Sequence, residues 1–201
     1  DKLFSKLSLN YTKYSYDLAW KVTDSRAEWQ SDIQNLEARL DFSHAISDKL
    51  NLQYGATTTY HMFNPAMITR AGYPDFRMNK SYALEHTIYF GAEQHLSKAI
   101  SVNYGARLTA FRNMGKTLLY HYDNNYDVSG ATEYGSGKIY HTYIRPEFRA
   151  GLVYKLNEWS SVKANFTHNT QFIQIANNSD SGSPLDLWFP ASPNVKPQEA
   201  N

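Results

Sequence analysis

The amino-acid sequence predicts an all-β chain that forms an up-and-down antiparallel transmembrane β-barrel segment of about seven strands. Three observations lead to this fold class. Apolar and polar residues alternate with a period of two along most of the 201 residues, which is typical of strands with two different faces. The connections between the alternating stretches are short and long in turn. No stretch carries the 3.6-residue period of an amphipathic helix.

The alternation is clearest in YHTYIRPEFRAGLVYKL, residues 140–156, whose even positions carry no charge and whose odd positions carry two Arg, one Glu and one Lys. In the first strand the alternation changes phase near Lys13–Tyr14, which predicts a β-bulge there. The predicted strands cover about residues 3–22, 33–46, 50–62, 81–96, 100–112, 138–156 and 161–175.

A strand, a tight turn and a second strand recur fifty residues apart, in HAISDKLNLQYGATTT (44–59) and QHLSKAISVNYGARLT (94–109). LNEWSSVKANFTHNT (156–170) is a weaker third copy. In bacterial outer-membrane barrels, short turns face the periplasm and long loops face outside. The predicted long connections are residues 23–32, 63–80, 113–137 and 176–201. In this orientation Leu50, Leu52, Ile100 and Val102 face lipid, whereas Gly55 and Gly105 face the lumen.

A soluble β-protein, either a lipocalin-like barrel or a sandwich, is the main alternative. The predicted strands of about 13–19 residues exceed the usual length of about 5–6 residues. Their polar face mixes charges with Gly, Ser, Thr and Asn, as a hydrated lumen would. The low mean hydropathy of −0.58 does not decide the question, because a transmembrane strand alternates polar with apolar residues.

Composition excludes several other classes. Lys and Arg number 20 against 19 Asp and Glu, so the charge gives no indication of a nucleic-acid partner. There is no Cys, which excludes a disulfide framework and a thiolate site. The chain resembles neither a nucleophile elbow nor a phosphate-binding loop, so we expect no enzyme activity and no cofactor.

Three segments resemble one family. IYFGAEQHLSKAISVNYGARLTAF (88–111) resembles the strand–turn–strand segment of TonB-dependent outer-membrane receptors. SSVKANFTHNTQFIQIANNS (160–179), followed by PLDLWFPASPNVKPQEAN (184–201), resembles a later barrel segment of the same family. YHMFNPA (60–66) is similar to members from Bacteroidetes-type bacteria. The resemblance implies a 22-stranded barrel in the outer membrane of a Gram-negative bacterium, with a plug domain inside it.

On this resemblance, residues 1–201 form a partial barrel domain that lacks the plug and the C-terminal strands, and we expect the strand pattern to continue past residue 201. The implied function is uptake of a scarce, bulky nutrient such as a siderophore, cobalamin or an oligosaccharide. The implied partners are outer-membrane lipid, the protein's own plug domain, the TonB complex and the nutrient, with no nucleic acid. The alternatives are a plug-less outer-membrane barrel, acting as a passive channel or adhesin, and a soluble lipocalin-like binding protein.

Two sets of residues are candidates for contact with a ligand or plug. Loops at a barrel mouth commonly carry recognition, and large aromatic side chains give rigid contact area. The loop candidates are Tyr73, Asp75, Arg77, Tyr120, Tyr122, Tyr126, Tyr134 and Trp188. The residues expected to face the lumen are Glu37, Arg39, Asp41, Glu85, Glu93, Arg107, Arg145, Glu147 and Arg149.

Neither of the two possible metal-binding patterns is specific. The seven His show no metal-ligand spacing, so we expect structural roles for them. DNNYD, residues 123–127, offers the oxygen ligands that calcium prefers. It lacks the glycine and the terminal Glu of an EF-hand loop, and we predict a hydrated loop without a bound metal.

Overall fold

A computed structural model describes residues 2–22, 25–176 and 187–201 of the chain. These residues form strands joined by turns and bends, and within these ranges no helix is long and apolar enough to span a membrane. The strands are β1 (Leu3–Val22), β2 (Ser25–Ser47), β3 (Leu50–Arg70), β4 (Phe76–Arg77), β5 (Ser81–His95), β6 (Ile100–Met114), β7 (Thr117–Tyr122), β8 (Val128–Tyr134), β9 (Ile139–Lys155), β10 (Ser161–Gln171), β11 (Ile173–Ala176), β12 (Leu187–Pro190) and β13 (Gln198–Ala200).

The long strands form one antiparallel sheet in the order β1–β2–β3–β5–β6–β9–β10–β13, and β4 pairs with β3. Each long strand therefore lies beside the next long strand of the chain. The pairs β7–β8 and β11–β12 form two separate hairpin-like sheets. The prediction of an all-β, antiparallel, up-and-down arrangement is confirmed. In the described ranges the main sheet does not close on itself, and β1 forms one open edge.

Several predicted loops are strands in the structure. β2 begins at Ser25 instead of residue 33, and β3 continues to Arg70 instead of ending at residue 62. The predicted connection 113–137 contains the β7–β8 hairpin. Backbone hydrogen bonds to a neighbouring strand continue where the alternation of polar and apolar side chains becomes irregular. A prediction from this alternation therefore makes the strands too short at the end of the sheet that carries the long connections.

The bulge predicted near Lys13–Tyr14 is wrong. β1 and β2 pair without interruption from Leu3 opposite His44 to Val22 opposite Ser25. The change of phase is instead a change in which face of an unbroken strand carries the apolar side chains. From Tyr14 onward these side chains lie on the inner face, where the Tyr14 ring meets Trp188 edge-on at 6.0 Å. An irregularity of register does occur one strand away, between Gln30 and Asp32 in the pairing of β2 with β3.

The register defines two faces of the main sheet. We define the inner face as the face that carries the odd-numbered residues of β5, β6 and β9. In β2 and β3 it carries the odd-numbered residues of 33–45 and 51–63. The opposite face is the outer face. One row across the inner face is Arg39, Thr57, Thr87, Thr109 and Arg145. The adjacent row on the outer face is Leu40, Ala56, Ile88, Leu108 and Pro146.

The buried core lies on the inner face, at the end of the sheet with the long connections. We call this region the apolar half. Its buried members are Ile33, Phe63, Ala83, Phe111, Phe172 and Ala191. The rings of Phe111 and Phe172 stack with their centroids 4.9 Å apart, and β12 packs across β2, β3 and β5.

Hydrogen bonds attach residues 187–192, which we call the covering segment, to the main sheet. Asn113 Nδ2 donates to the carbonyl of Ala191 at 2.7 Å, and the Tyr143 hydroxyl donates to the carbonyl of Ser192 at 2.8 Å. Because Asn113 belongs to β6 and Tyr143 to β9, these bonds attach residues around 190 to the middle of the sheet. The inner face is therefore filled at this end by the chain itself.

Candidate binding surface on the inner face

The other end of the inner face, near the short turns, is polar and open. We call it the polar half. Its charged members include Glu37, Arg39, Asp41, Glu85, Glu93, Arg107, Glu147 and Arg149. It contains a groove of about 650 Å³, lined by residues from Glu37 in β2 to Asn169 in β10. Since strands this far apart line one groove, the sheet curves around it.

Glu147 anchors the most buried charge network of the groove. It is only 6 % exposed. One carboxylate oxygen lies 3.1 Å from Arg107 Nε, and the other accepts the backbone N–H of Thr170 at 2.7 Å. Arg107 also lies 3.7 Å from Glu85. A buried carboxylate is costly unless it is paired and hydrogen-bonded, and these contacts meet that requirement.

His61 extends this network toward the apolar half. Its Nε2 lies 3.6 Å from a carboxylate oxygen of Glu85, and its Nδ1 lies 2.8 Å from Asn35 Oδ1. Beside it, the hydroxyls of Thr87 and Thr109 are 3.1 Å apart and both residues are buried. His61 therefore has a structural role at the boundary between the two halves.

A second polar cluster lies near the β2–β3–β5 side of the groove. Arg39 Nε donates to both oxygens of Asp41, at 2.8 and 2.9 Å. The Tyr89 hydroxyl also donates to Asp41, and the Arg39 guanidinium lies 5.6 Å from the Tyr89 ring centroid. Tyr89 lies over Gly55, where a Cβ would come within 2.7 Å of its hydroxyl. The absence of a side chain at Gly55 thus leaves room for the Tyr89 hydroxyl.

Arg149 lies against a flat surface formed by two glycines of neighbouring strands. A Cβ on Gly91 or on Gly105 would come within 3.0 Å of its guanidinium. Among the described residues Arg149 has no carboxylate within ion-pair distance, unlike Arg39, Arg107 and Arg145. Amide side chains, including those of Gln53, Asn103 and Asn165, line the adjoining recess of about 300 Å³. This arrangement leaves a positive charge available to an anionic group in the groove.

The predicted lumen set shares one face, because the register aligns all nine residues on the inner face. The structure brings Glu85, Arg107 and Glu147 into contact, and pairs Arg39 with Asp41. Arg145 instead pairs with Glu199 of β13, at 2.8 Å. Glu93 lines the recess beside Arg149. The set therefore divides into two clusters and separate residues, and does not form a single site.

The predicted loop set also divides into separate groups. Tyr73 and Asp75 follow β3, and Arg77 lies in β4. The Arg70 guanidinium lies 4.3 Å from the Tyr73 ring centroid. Asp75 and Arg77 form an exposed ion pair at 3.4 Å. These contacts shape a local turn and do not converge with the other loop candidates.

Four other loop candidates belong to the β7–β8 hairpin. Tyr120 and Tyr122 lie in β7, and Tyr134 ends β8, so their prediction as loop residues is wrong. Tyr134 stacks on Tyr140 with centroids 5.0 Å apart. Tyr126 occupies the turn with a φ of 64°, a left-handed conformation, and its side chain is exposed.

The DNNYD segment forms the turn of this hairpin. The Asp123 carboxylate accepts the backbone N–H groups of Asn125 and Asp127 at 2.8 and 2.9 Å. This is an Asx-type turn, in which the carboxylate is used by the chain's own backbone. Across residues 2–22, 25–176 and 187–201, no three His, Asp or Glu side chains are grouped closely enough to hold a metal ion.

The position of Trp188 corrects its prediction as a loop residue. Trp188 lies in β12, packs against the apolar half, and meets the Tyr14 ring edge-on at 6.0 Å. Sequence reasoning also missed Asn113 and Tyr143, which bind the covering segment. A polar residue in an otherwise regular strand gives no indication that a distant segment accepts its hydrogen bond.

Compared with family models, with curated proteins and with solved structures, the chain matches none.

Proposed function

We propose that this chain forms part of the wall of a larger transmembrane β-barrel, and that the barrel belongs to an outer-membrane receptor of the TonB-dependent type. The single observation that carries the proposal is the distribution of side chains on the sheet. Over a band of membrane height the outer face carries no Asp, Glu, Lys or Arg and is mostly apolar, with His44, His86 and His168 among its polar residues, and the inner face carries the charges around a groove.

The outer face of β6 illustrates the band. From Ile100 to Ala110 its outward residues are Ile, Val, Tyr, Ala, Leu and Ala, and the first charge is Arg112. Ten residues rise about 33 Å along a strand. At a tilt of about 40° this corresponds to about 25 Å, the height of the lipid-facing band in outer-membrane barrels.

Neighbouring strands continue the same band. Large apolar side chains on the outer face are exposed in the isolated chain, including Ile88 at 60 % and Ile144 at 58 %. A contiguous apolar surface of this kind marks a contact with lipid or protein. A soluble lipocalin-like barrel would place these side chains inside, so the arrangement does not favour that alternative.

The open edges support membership in a larger barrel. β1 pairs over twenty residues with β2 and presents its other edge unpaired in the described structure. A long unpaired edge exposes backbone donors and acceptors, and in lipid each must find a partner. We propose that further strands complete the wall on both sides.

Transport of a bulky nutrient is the most specific part of the proposal and rests on the resemblance to the receptor family. The polar half supports it, because the surface is charged and curved and Arg149 has no carboxylate partner among the described residues, which suits contact with a plug or a hydrated solute. A plug-less passive channel or adhesin would share the same wall. The coding sequence upstream of Asp1 separates these hypotheses: we expect a signal peptide and a plug of domain size, and a start codon directly before Asp1 contradicts the receptor hypothesis.

The membrane assignment has a direct test in Leu108→Arg. Leu108 lies on the outer face within the uncharged band, between its midpoint and Arg112. The cost of a charge falls from about 2–4 kcal/mol at the bilayer midplane to about 0–1 kcal/mol near the interfaces. We expect an intermediate loss of unfolding free energy, about 1–3 kcal/mol, for the protein expressed from its native reading frame and folded into lipid vesicles.

The matched control is Asn103→Arg in the same strand. Asn103 lies on the inner face directly opposite Glu93 and lines the recess beside Arg149, so the new charge meets water, one carboxylate and one guanidinium. We expect little change for this variant. Equal losses for the two variants, or cooperative folding of the unmodified protein as a monodisperse species in water without detergent, show that the outer face does not face lipid.

A further inference from the structure

The recess of about 300 Å³ beside Arg149 lies on the inner face, at the short-turn side of the polar half. The register places its inner-face residues in two neighbouring rows that cross β3, β5, β6, β9 and β10. The first row is Gln53, Gly91, Gly105, Arg149 and Thr167, and the second row is Asn51, Glu93, Asn103, Gly151 and Asn165. The two rows are two residues apart along each strand, which corresponds to about 7 Å.

The first row carries a positive charge at its centre. Arg149 belongs to β9, but its guanidinium extends across β6 to β5. A Cβ on Gly105 would come within 3.0 Å of Arg149 Nε, and a Cβ on Gly91 would come within 3.0 Å of Nη2. Because a side chain at either glycine would block this path, the two glycines allow the guanidinium to lie beside the second row.

The second row carries oxygen acceptors. Glu93 contributes a carboxylate and lies directly opposite Asn103. The amide oxygens of Asn103 and Asn165 lie over Gly151, where a Cβ would come within 2.7 Å of Asn165 Oδ1 and closer still to Asn103 Oδ1. An ammonium group has three N–H donors and no acceptor, so this set of oxygens suits an ammonium group.

The two opposite charges line the same recess but are not used by the protein. Among the described residues, the side chains of Arg149 and Glu93 form no ion pair and no hydrogen bond, with each other or with another residue. The neighbouring Arg107 and Glu147, in contrast, form an ion pair at 3.1 Å. An anion in the recess would be attracted by Arg149 and repelled by Glu93, and a cation would meet the reverse. A molecule that carries both charges is attracted by both residues.

We infer that this recess binds a small zwitterion of the α-amino acid type, whose carboxylate accepts hydrogen bonds from Arg149 and whose ammonium donates to Glu93 and to the amide oxygens of the second row. Two hydrogen bonds of about 2.9 Å take up most of the spacing of about 7 Å between the rows. The two charges of the ligand must therefore lie close together, as they do on either side of one carbon atom.

The size of the recess also favours a small molecule, because about 300 Å³ is the lower limit for ligand pockets. The inference rests on the proposed function, since the inner wall of a transport barrel presents this recess to a solute that passes through it.

The test compares three probes of similar size: L-alanine carries both charges, propionate carries only the carboxylate, and ethylamine carries only the ammonium. Equilibrium dialysis of each labelled probe is carried out against the protein expressed from its native reading frame and folded in detergent micelles. We expect L-alanine to bind about tenfold more tightly than either other probe, because each of these lacks one charge-assisted hydrogen bond.

Two variants identify the residue that meets each charge. Arg149→Gln should weaken L-alanine binding about tenfold and remove its advantage over ethylamine. Glu93→Gln should weaken L-alanine binding to a similar extent and remove its advantage over propionate. The matched control is Arg145→Gln, which removes an arginine from the same face of the same strand, where it pairs with Glu199 outside the recess. The control should leave the affinity for L-alanine unchanged, and heat-dependent electrophoretic mobility should show that every variant is folded.

Three results overturn the inference. Propionate that binds as tightly as L-alanine, with Glu93→Gln strengthening both, means that the recess takes a simple anion. Equal weakening by Arg145→Gln and Arg149→Gln means that the guanidinium of Arg149 does not contact the ligand. A folded protein that inserts into lipid vesicles but binds none of the three probes overturns the site alone, whereas failure to insert into any vesicle overturns the proposed function.

Discussion

The two halves of the inner face belong to the same strands but have different chemistry. In the apolar half, Phe63 and Phe111 are buried beneath β12 and Phe172. In the polar half, the same strands present Thr57, Thr87 and Arg107 to an open groove. One face of a single strand can therefore change from polar to apolar along its length. The side chains are apolar where another segment of the chain packs on that face and polar where the face is open.

The largest expected effect comes from removing the stacked ring at the centre of the apolar half. Phe111 is fully buried, and Phe111→Ala leaves a cavity beneath Phe172. We expect a loss of about 3–5 kcal/mol in unfolding free energy, measured by urea unfolding in detergent. Phe148→Ala on the outer face is the control, since it opens no internal cavity; an equal loss would mean that the apolar half is not a packed core.

A smaller loss of stability is expected from adding a methyl group at Gly55, a closely packed position in the polar half. A Cβ on Gly55 would lie 2.3 Å from the backbone carbonyl oxygen of Leu40 and close to the Tyr89 hydroxyl. Gly55→Ala therefore forces a shift of the strand and should cost about 1–3 kcal/mol. At Gly130 a Cβ meets nothing within 4 Å, so Gly130→Ala should cost nothing measurable by the same urea titration. If the two variants behave alike, the close approach at Gly55 is not real.

The smallest expected effect concerns the exposed ion pair between Arg145 and Glu199. This pair joins β9 to β13 at 2.8 Å, with both side chains partly exposed to solvent. A double-mutant cycle with Arg145→Gln and Glu199→Gln should give a coupling energy of about 0.2–1 kcal/mol that falls as salt is added. Coupling well above this range, or coupling that salt does not change, shows that the edge is covered by additional strands.

The core strands could be predicted because each carries its own alternation. Residues 140–156 specify two different faces without reference to any other part of the chain. The repeat of YGA at 54–56 and 104–106 gives the same phase to β3 and β6, which lie on either side of β5. The side-chain period of two then places Glu85, Arg107 and Glu147 on one face. Contact among these three residues could not be predicted, since it depends on register across β5, β6 and β9.

The covering segment could not be predicted for a different reason. Trp188 and Ala191 are far in sequence from Tyr14 and Asn113, and their contacts depend on where a long connection returns. The false bulge at Lys13–Tyr14 has a related origin, because the apolar side chains of the first strand change face at Tyr14, whose ring meets the distant Trp188.

By itself the sequence determined the antiparallel strands, their two faces and the rhythm of short turns and longer connections, because these features follow from local alternation and turn chemistry. The tertiary structure decided which charges pair, that Arg149 lies on Gly91 and Gly105 without a carboxylate partner among the described residues, and that residues 187–191 cover one half of the inner face. These features require atoms distant in sequence to meet, and only the folded backbone determines where they do.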